Sequence, residues 1–237
     1  MNKESQKNKN WWENYFAKDG GWERNGGRDQ TFLFAKKFTE LIKIESKENF
    51  SIMDAGCALG GALRLFSEVY PLASLYGIDF SENAIKICEK EYGKFAVFSV
   101  GDLGDIEGFY DLIYCSNTLE HFSSFKEKSR QLICHCRQLC IMVPFQELDS
   151  KGKPILPNPN NHHQHTFDKA SFDFLLAEGL ATDIKTEIFS CVGAWGWTNR
   201  QKIEQAVKNT FRYLSKRPLR FPPRQILFDI SSSNLQG

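Results

Sequence analysis

The sequence predicts an α/β protein in which a doubly wound, mostly parallel sheet carries helices on both faces. Short apolar segments alternate with amphipathic ones between residues 51 and 145. The apolar segments lack the in/out alternation of a sheet with one face in water, which indicates strands covered on both faces. A strand, a glycine-rich turn and a helix also follow one another in SIMDAGCALGG, residues 51–61, as they do in nucleotide-binding α/β proteins.

The elements can be placed in order along the chain. The first 50 residues predict two helices, separated by a loop that contains Gly20, Gly21, Gly26 and Gly27. Strands are then expected at 51–56, 74–80, 95–102, 110–117 and 139–145, with helices at 62–70, 81–92 and 124–136. Ser81 is the expected N-cap of the second of these helices. This order predicts a Rossmann-like sheet with an N-terminal helical cap.

The composition changes after Phe145. A polar loop rich in Pro and Asn leads to a predicted helix at 168–180, which Gly179 ends, and to a strand at 181–195. A basic tail and a last strand complete the chain. We expect a single domain over residues 1–237, made of a helical cap (1–50), a core (51–145) and a final region of loop, helix and strands beside the substrate (146–237).

Composition excludes several classes of protein. The net charge of the 237 residues is +1, so there is no overall field to attract nucleic acid. The N-terminus lacks an apolar signal segment, and no 18-residue apolar run occurs, so we expect no membrane span. Seven cysteines, an odd number spread through apparent core segments, favour a reducing cytoplasm.

The turn in residues 54–61 departs from the dinucleotide-binding fingerprint G-x-G-x-x-G at one position. Gly56 and Gly61 occupy the outer glycine positions, but Ala58 stands at the middle one. The middle glycine lets a pyrophosphate approach the backbone. The methyl group of Ala58 and the charge of Asp54 therefore favour a nucleoside without phosphates, such as S-adenosylmethionine. Asp79, about twenty residues further on, suits the ribose of either ligand, which keeps NAD as the alternative.

Four segments resemble, in order and at normal spacing, the motifs of small-molecule class I S-adenosylmethionine-dependent methyltransferases. They are DAGCALGG, YGIDFS, VGDL and YDLIYCSNTLEHF, and the resemblance covers residues 50–180, including HHQHTFDKASFDFLLAEGL. It implies that S-adenosylmethionine is the cofactor. It also implies these cofactor-binding residues: Asp54, Gly56, Cys57, Gly60, Asp79, Phe80, Asp102, Leu103 and Asn117. A simple tight turn at Gly60 and a helix-capping role for Asp102 remain alternatives.

Histidine is the candidate for the proton transfer. An oxygen or nitrogen acceptor needs a base whose pKa lies near the working pH, and histidine fits best. His121 follows the fourth predicted strand, at the sheet edge where ligands bind in open α/β proteins, and is the first candidate. His165 is the second. A packing or capping role remains open for both.

The acceptor is expected to bind between the cap and the final region. The resemblance implies that the N-terminal cap covers the cofactor and shapes the acceptor pocket. The candidate substrate-binding residues are Trp22, Arg28, Gln30, His162 and His163. Arg28 suits a carboxylate or a phosphate, whereas core packing remains open for the tryptophans. No metal site is expected, because the thiols of CHCRQLC, residues 134–140, lie across a helix end and a strand and point in different directions.

These observations predict a cytoplasmic methyltransferase that acts on the oxygen or nitrogen of a small molecule. Its oligomeric state is open. The basic tail favours an anionic or sugar-linked acceptor, and the chain is similar in general character to methyltransferases of bacterial surface-polysaccharide pathways. The alternatives are an NAD-dependent oxidoreductase and a nucleic-acid-associated module on the same fold. The basic residues of the tail are Arg212, Lys216, Arg217, Arg220 and Arg224.

Overall fold

The computed structural model describes most of the chain, with side chains from residue 10 onward. The described residues are 3–17, 20–44, 49–147, 153, 162–191, 193, 196, 198–215 and 223–234. Lys216, Arg217 and Arg220 of the basic tail lie outside them.

One sheet forms the centre of the protein. Its strands are β1 (Ser51–Ala55), β2 (Ser74–Asp79), β3 (Ala96–Val100), β4 (Tyr110–Ser116), β5 (Cys136–Pro144), β6 (Ala181–Ser190) and β7 (Arg224–Ser232). They are arranged in the order β3-β2-β1-β4-β5-β7-β6. The first five strands pair in parallel, and β7 runs antiparallel to both β5 and β6. The prediction of a mostly parallel, doubly wound sheet is confirmed.

Helices cover both faces of this sheet. They are α1 (Lys3–Phe16), α2 (Gly21–Arg24), α3 (Gly27–Leu41), α4 (Gly61–Val69), α5 (Glu82–Tyr92), α6 (Phe125–Cys134), α7 (Asp173–Ala177) and α8 (Asn199–Leu214). Phe38 of α3 and Phe66 of α4 are fully buried on one face, and Leu132 of α6 and Leu175 of α7 on the other. Burying such a side chain stabilises the fold by roughly 1.5–3 kcal/mol.

The start of α5 fixes the position of the cap. Ser81 is the N-cap, as predicted, and its hydroxyl accepts a hydrogen bond from the amide of Ala84 at 3.2 Å. The carboxylate of Glu13, in α1, accepts from the Ser81 hydroxyl at 2.8 Å and from the Glu82 amide at 2.9 Å. A carboxylate at the positive end of a helix dipole is stabilising, so Glu13 holds α1 against the core.

Three helices differ from the prediction. The cap contains three helices rather than two, because Gly21 and Gly27 begin α2 and α3 instead of remaining in the loop. Helix α7 is shorter than 168–180, because Asp168 accepts hydrogen bonds from the amide of Ala170 and the hydroxyl of Ser171 in a local turn that competes with the helix. Gly179, with φ of 72°, follows its end as expected. Helix α8 was not predicted.

The strand β5 begins earlier than expected. Cys136 pairs with Tyr110 of β4, which extends the strand from the predicted 139 back to 136. All seven cysteines are free thiols in the structure. None of the helices in the described part of the chain is long and apolar enough to cross a membrane.

Candidate active site

A cavity of about 670 Å³ lies at the carboxyl ends of β1 to β4, beneath the cap. Its volume falls within the roughly 300–1,000 Å³ of typical small-molecule sites, and this sheet edge is where open α/β proteins bind ligands. Nine of the residues predicted from the sequence line it: Trp22, Gly56, Asp79, Phe80, Asp102, Leu103, Asn117, His121 and His162.

The glycine-rich turn after β1 is tightly held. The amides of Gly56 and Cys57 both donate to the carbonyl oxygen of Ile78, at 2.8 and 3.0 Å. Gly56 has φ of 84°, and a Cβ there would lie 2.5 Å from Oγ1 of Thr118. Only glycine fits both conditions. Ala58 also has a positive φ, 46°. Residues with a side chain adopt this left-handed backbone conformation only at an energetic cost.

Two buried carboxyl groups lie behind this turn. Asp79 accepts from the amides of Ala58 at 3.0 Å and Ser81 at 2.9 Å. Burial raises the pKa of Asp79 to about 6, although these two hydrogen bonds oppose the rise. Burial, with a smaller contribution from Asp79, raises the pKa of Asp54 to about 8. Oδ2 of Asp54 has no hydrogen-bond partner among the described residues. The pair favours a cationic ligand and disfavours a pyrophosphate.

Asp102 follows β3 and does cap a helical turn. Its Oδ1 accepts from the amide of Leu103 at 2.6 Å, and its Oδ2 lies 3.2 Å from Nζ of Lys128. Asn117 follows β4 with φ of 50°, and its Oδ1 accepts from Nε2 of Gln225 at 3.1 Å. Both side chains are therefore oriented by neighbouring residues while they line the cavity.

Three predicted cofactor residues support the site from behind rather than line the cavity. Asp54 is 2% exposed and Cys57 is fully buried. Burial and the neighbouring Cys88 thiol raise the pKa of the Cys57 thiol well above its usual value. Gly60 is the N-cap of α4, and a Cβ at this position would lie 2.7 Å from the ring of Tyr92. The tight-turn interpretation therefore describes Gly60.

Aromatic side chains of the cap close the opposite part of the cavity. The ring of Trp12 lies 5.1 Å from that of His121 and 6.3 Å from that of Trp22. The ring of Trp11 lies 4.6 Å from that of His162. The cap therefore contacts both histidines that line the cavity.

The two catalytic candidates occupy different environments. Nδ1 of His121 donates to the carbonyl oxygen of His162 across 3.4 Å. Burial, followed by the proximity of His163, lowers the pKa of His121 to about 3, so the imidazole is neutral and only weakly basic. His165 does not line the cavity. Its Nε2 donates to the carbonyl oxygen of Ser123 at 3.2 Å, and its ring packs 4.6 Å from that of Phe125, which is the packing role that sequence left open.

A polar cluster lies beside His121. Glu120 is fully buried, and burial raises the pKa of its carboxyl group to about 7, although His163 opposes the rise. Nδ1 of His163 lies 2.5 Å from Oε2 of Glu147, and its Nε2 lies 4.0 Å from Oε1 of Glu120. Burial lowers the pKa of His163, but the hydrogen bond to Glu147 and the charges of Glu120 and Glu147 together raise it above its usual value. His163 thus supports the cavity wall through His121 instead of lining it.

Two predicted substrate residues lie outside the cavity lining. Arg28 forms ion pairs with Glu23 at 2.7 Å and with Glu91, and it donates to the hydroxyl of Tyr92 at 3.2 Å. Its charge is paired within the protein, so its role as a clamp for an acceptor carboxylate or phosphate stays a prediction that this pairing does not favour. Gln30 is fully buried in α3 and packs close to Gly193.

Comparison with known families decides the assignment. A family model described as "Methyltransferase domain" matches residues 28–179, more than half of the chain. The chain belongs to this methyltransferase family. No curated protein sequence matches it significantly.

Solved structures resemble this methyltransferase across most of its length. The plantazolicin methyltransferase BpumL, with a triazolic desmethylPZN analog and SAH, is 22% identical, covers 89% of each chain and has a TM-score of 0.59. The magnesium protoporphyrin IX methyltransferase ChlM from Synechocystis PCC 6803, with SAM, is 18% identical over 88% of this chain and 80% of its own, with a TM-score of 0.52. The Haemonchus contortus phosphoethanolamine N-methyltransferase 2 is 14% identical over 93% and 55%, with a TM-score of 0.57. These likenesses confirm the predicted fold.

Several side chains of the methyltransferase cavity were not predicted. Thr31 and Phe34 of α3, Phe122, Lys128 and Gln164 line it as well. Thr31 and Phe34 share the helical spacing of the buried face of α3, which is a signal that the sequence contains. The sequence alone does not indicate that Gln164 reaches the cavity. Its backbone N–H donates to the carbonyl oxygen of Glu120 at 2.7 Å, a residue far away in the sequence.

Proposed function

We propose that this protein transfers a methyl group from S-adenosylmethionine to an oxygen or nitrogen atom of a small-molecule acceptor. The observation that carries the proposal is the cavity where strand-end carboxyl groups meet the aromatic residues of the cap. Methyl transfer is a direct displacement, so one cavity that aligns donor and acceptor supplies much of the acceleration. The family assignment supports the same activity.

The residues of the turn fit S-adenosylmethionine. The carboxyl group of Asp54, whose Oδ2 has no hydrogen-bond partner among the described residues, is buried behind the turn, and a positively charged ligand in the cavity favours its ionised form. Each carboxylate oxygen of Asp79 accepts one hydrogen bond from a backbone amide. Each has a further lone pair that can accept from a ribose hydroxyl. We assign Phe80, Asp102 and Leu103 to the adenine. The bound sulfonium supplies an activated methyl group.

On the acceptor side, the residues orient the acceptor and exclude water. Trp12 and Trp22 cover the cavity, which strengthens electrostatic interactions inside it. His121 is neutral, with its Nδ1 hydrogen directed to His162, so its Nε2 accepts a hydrogen bond from the acceptor hydroxyl or amine. Its lowered pKa makes it better suited to orienting the acceptor than to storing the proton.

The finer identity of the acceptor is also a proposal. A sugar-linked or anionic metabolite, including one from surface-polysaccharide synthesis, is supported by the basic tail. In the described part of the cavity wall the cation is Lys128, and it is paired with Asp102, so the proposal of an anionic acceptor rests on the composition of the tail. We also propose a cytoplasmic location, supported by the seven free thiols.

Calorimetric titration tests the cofactor. S-adenosylmethionine and S-adenosylhomocysteine should both bind, and Asp79→Asn should weaken both at least tenfold. The matched control is Asp173→Asn, which changes an exposed aspartate at the start of α7 and should leave binding unchanged. Failure of both nucleosides to bind would remove the proposal, and binding of NAD in their place would establish the oxidoreductase alternative.

A screen for homocysteine release then identifies the acceptor class. The panel should contain sugar nucleotides, phosphorylated metabolites, phenols and amines, each with S-adenosylmethionine and a coupling hydrolase. Turnover on a sugar nucleotide but not on its neutral sugar would support the anionic acceptor. RNA or DNA binding that persists in moderate salt would support the nucleic-acid module instead.

A further inference from the structure

Three side chains at the edge of the cavity form a cluster of which the proposed reaction uses only His121. They are Glu120, His121 and His163, and one potential ligand atom from each lies within 4.8 Å of the other two. Glu120 and His121 belong to the short helical turn after β4 (Leu119–His121), whereas His163 comes from the segment that precedes α7. His121 lines the cavity directly.

A positive charge next to Glu120 would stabilise its ionised form. The side chain is fully buried, and neither carboxylate oxygen has a hydrogen-bond partner among the described residues. The nearest cation-forming atom is Nε2 of His163, 4.0 Å away, which is too far for a hydrogen bond. Burying an unpaired carboxylate lowers the free energy of unfolding by several kcal/mol, which is about its desolvation penalty. A bound cation would remove that cost.

In both imidazoles Nδ1 faces a hydrogen-bond acceptor. Nδ1 of His121 faces the carbonyl oxygen of His162 at 3.4 Å, and because a carbonyl only accepts, this nitrogen carries the hydrogen. Nδ1 of His163 faces the carboxylate of Glu147 at 2.5 Å. A carboxylate that receives the second N–H of a histidine is the usual outer partner of a metal-binding imidazole, since it fixes the tautomer and raises the basicity of the other nitrogen.

The dimensions suit a small ion. At metal–ligand distances of about 2.1 Å, ligand atoms of a tetrahedral site lie about 3.4 Å apart. The cluster, with ligand atoms up to 4.8 Å apart, needs to contract by about 1.4 Å at most to reach that spacing. Two imidazoles and one carboxylate suit zinc or a similar divalent transition metal and leave coordination positions open.

We infer that Glu120, His121 and His163 bind one divalent transition-metal ion, and that the ion holds a hydroxyl oxygen of the acceptor in the cavity. The inference rests on the proposed function, narrows it to transfer to oxygen, and assigns Nε2 of His121 to the ion, which then contacts the acceptor in its place. The ion lowers the pKa of the bound hydroxyl, and its proton passes to solvent. The oxygen then forms the new bond to the methyl carbon as the carbon–sulfur bond breaks with its electron pair on sulfur.

Metal binding is measured on the full chain after treatment with a chelator. Titration with Co²⁺, followed by its visible absorption, should reach one equivalent, and Zn²⁺ should abolish the spectrum by competition. Glu120→Gln and His163→Gln should weaken Co²⁺ binding by at least about 100-fold, and Glu147→Gln by about 10- to 100-fold, the range for an outer partner.

Histidine substitutions elsewhere provide matched controls. His135→Gln changes a histidine bonded to the carbonyl of Gly108, and His165→Gln changes the one bonded to the carbonyl of Ser123. Both variants should bind Co²⁺ as the unmodified protein does. Absence of Co²⁺ binding by the unmodified protein, or an equal loss in the control variants, would overturn the inference. Circular dichroism identifies any variant that fails to fold, and Glu147→Gln, which alters no ligand, then decides.

Cofactor titration separates this inference from the proposed function. With chelator present, S-adenosylmethionine should still bind, whereas homocysteine release with a hydroxyl acceptor should fall at least tenfold and return on adding the metal. If the nucleoside binds and turnover is unaffected by the chelator, only the metal site is wrong. If the nucleoside does not bind, the methyltransferase proposal itself fails, whatever the Co²⁺ titration shows.

Discussion

The two sides of the cavity are built in different ways. The cofactor side consists of residues at the carboxyl ends of β1, β2 and β3, namely Gly56, Asp79 and Asp102. Asp79 accepts from the amides of Ala58 and Ser81, and Asp102 accepts from that of Leu103. Asp102 also pairs with Lys128 of α6. Parallel strands bring such residues together at one sheet edge, so their roles can be inferred from motifs.

The acceptor side consists of the cap tryptophans with residues 118–122 and 162–164. Here the contacts join segments far apart in sequence, such as Trp12 with His121 and Gln164 with Glu120. The comparison teaches that sequence motifs identify the cofactor side, whereas the acceptor side depends on how the cap and the final region pack. Substitutions on each side should therefore have separable effects.

The largest effect is expected at His121. His121→Gln should lower turnover by about 100-fold or more, the range for groups that assist proton transfer, and leave the affinity for S-adenosylmethionine within a few-fold. His165→Gln is the control, because that ring lies outside the cavity lining, and it should change turnover only slightly. Single-turnover kinetics with parallel calorimetry measures both quantities. Equal losses of turnover in the two variants would show that His121 has no particular role in positioning the acceptor.

On the cofactor side, Gly56→Ala should be more destabilising than Gly179→Ala. Both glycines have positive φ, 84° and 72°, but a Cβ at Gly56 meets Thr118 at 2.5 Å, whereas none of the described atoms lies within 4 Å of one at Gly179. Gly179→Ala should cost about 1 kcal/mol from the backbone alone. Gly56→Ala should cost about 2–4 kcal/mol, because crowding adds to it, and should also weaken cofactor binding. Urea denaturation measures the difference, and identical costs would contradict the crowding at Thr118.

Asp54 should make stability depend on pH. Its pKa is about 8 in the folded protein, against 3.8 ordinarily, so the folded state holds the proton more tightly than the unfolded chain does. Stability is therefore lost as pH rises from about 4 to about 8, by about 1.4 kcal/mol per pH unit at most. Asp54→Asn should remove much of this loss, about 2 kcal/mol between pH 5 and 7. It should weaken binding of S-adenosylmethionine, the cationic nucleoside, more than that of S-adenosylhomocysteine.

The pH experiment has a simple comparison. Denaturation curves at pH 5, 6 and 7 should diverge between the unmodified protein and Asp54→Asn, while Asp173→Asn, at an exposed position, should follow the unmodified protein. If the curves for Asp54→Asn run parallel to those of the unmodified protein, the carboxyl group does not titrate in this range.

The sequence predicts the fold well where local signals agree. Ser81 capping α5 and the apolar strands at 51–145 required no distant information. Helix α8 also carries a local signal that was missed: Thr198 and Gln201 form a capping box, and Ile203 and Val207 begin an apolar stripe at helical spacing. Arg28 could not be placed from sequence, because its partner Glu91 belongs to α5, a different helix.

The smallest effect is expected where the two sides meet, at Glu13. Its carboxylate accepts from Ser81 and Glu82 at the start of α5, so Glu13→Ala should cost about 1 kcal/mol, as loss of a helix cap does. Glu13→Gln keeps an acceptor oxygen and should cost less. If this contact couples the cap to the cofactor side, Glu13→Ala should also make the cap more accessible to limited proteolysis and weaken both cofactor affinity and turnover, unlike His121→Gln. Loss of turnover with unchanged cofactor affinity would instead show that the cap serves the acceptor side alone.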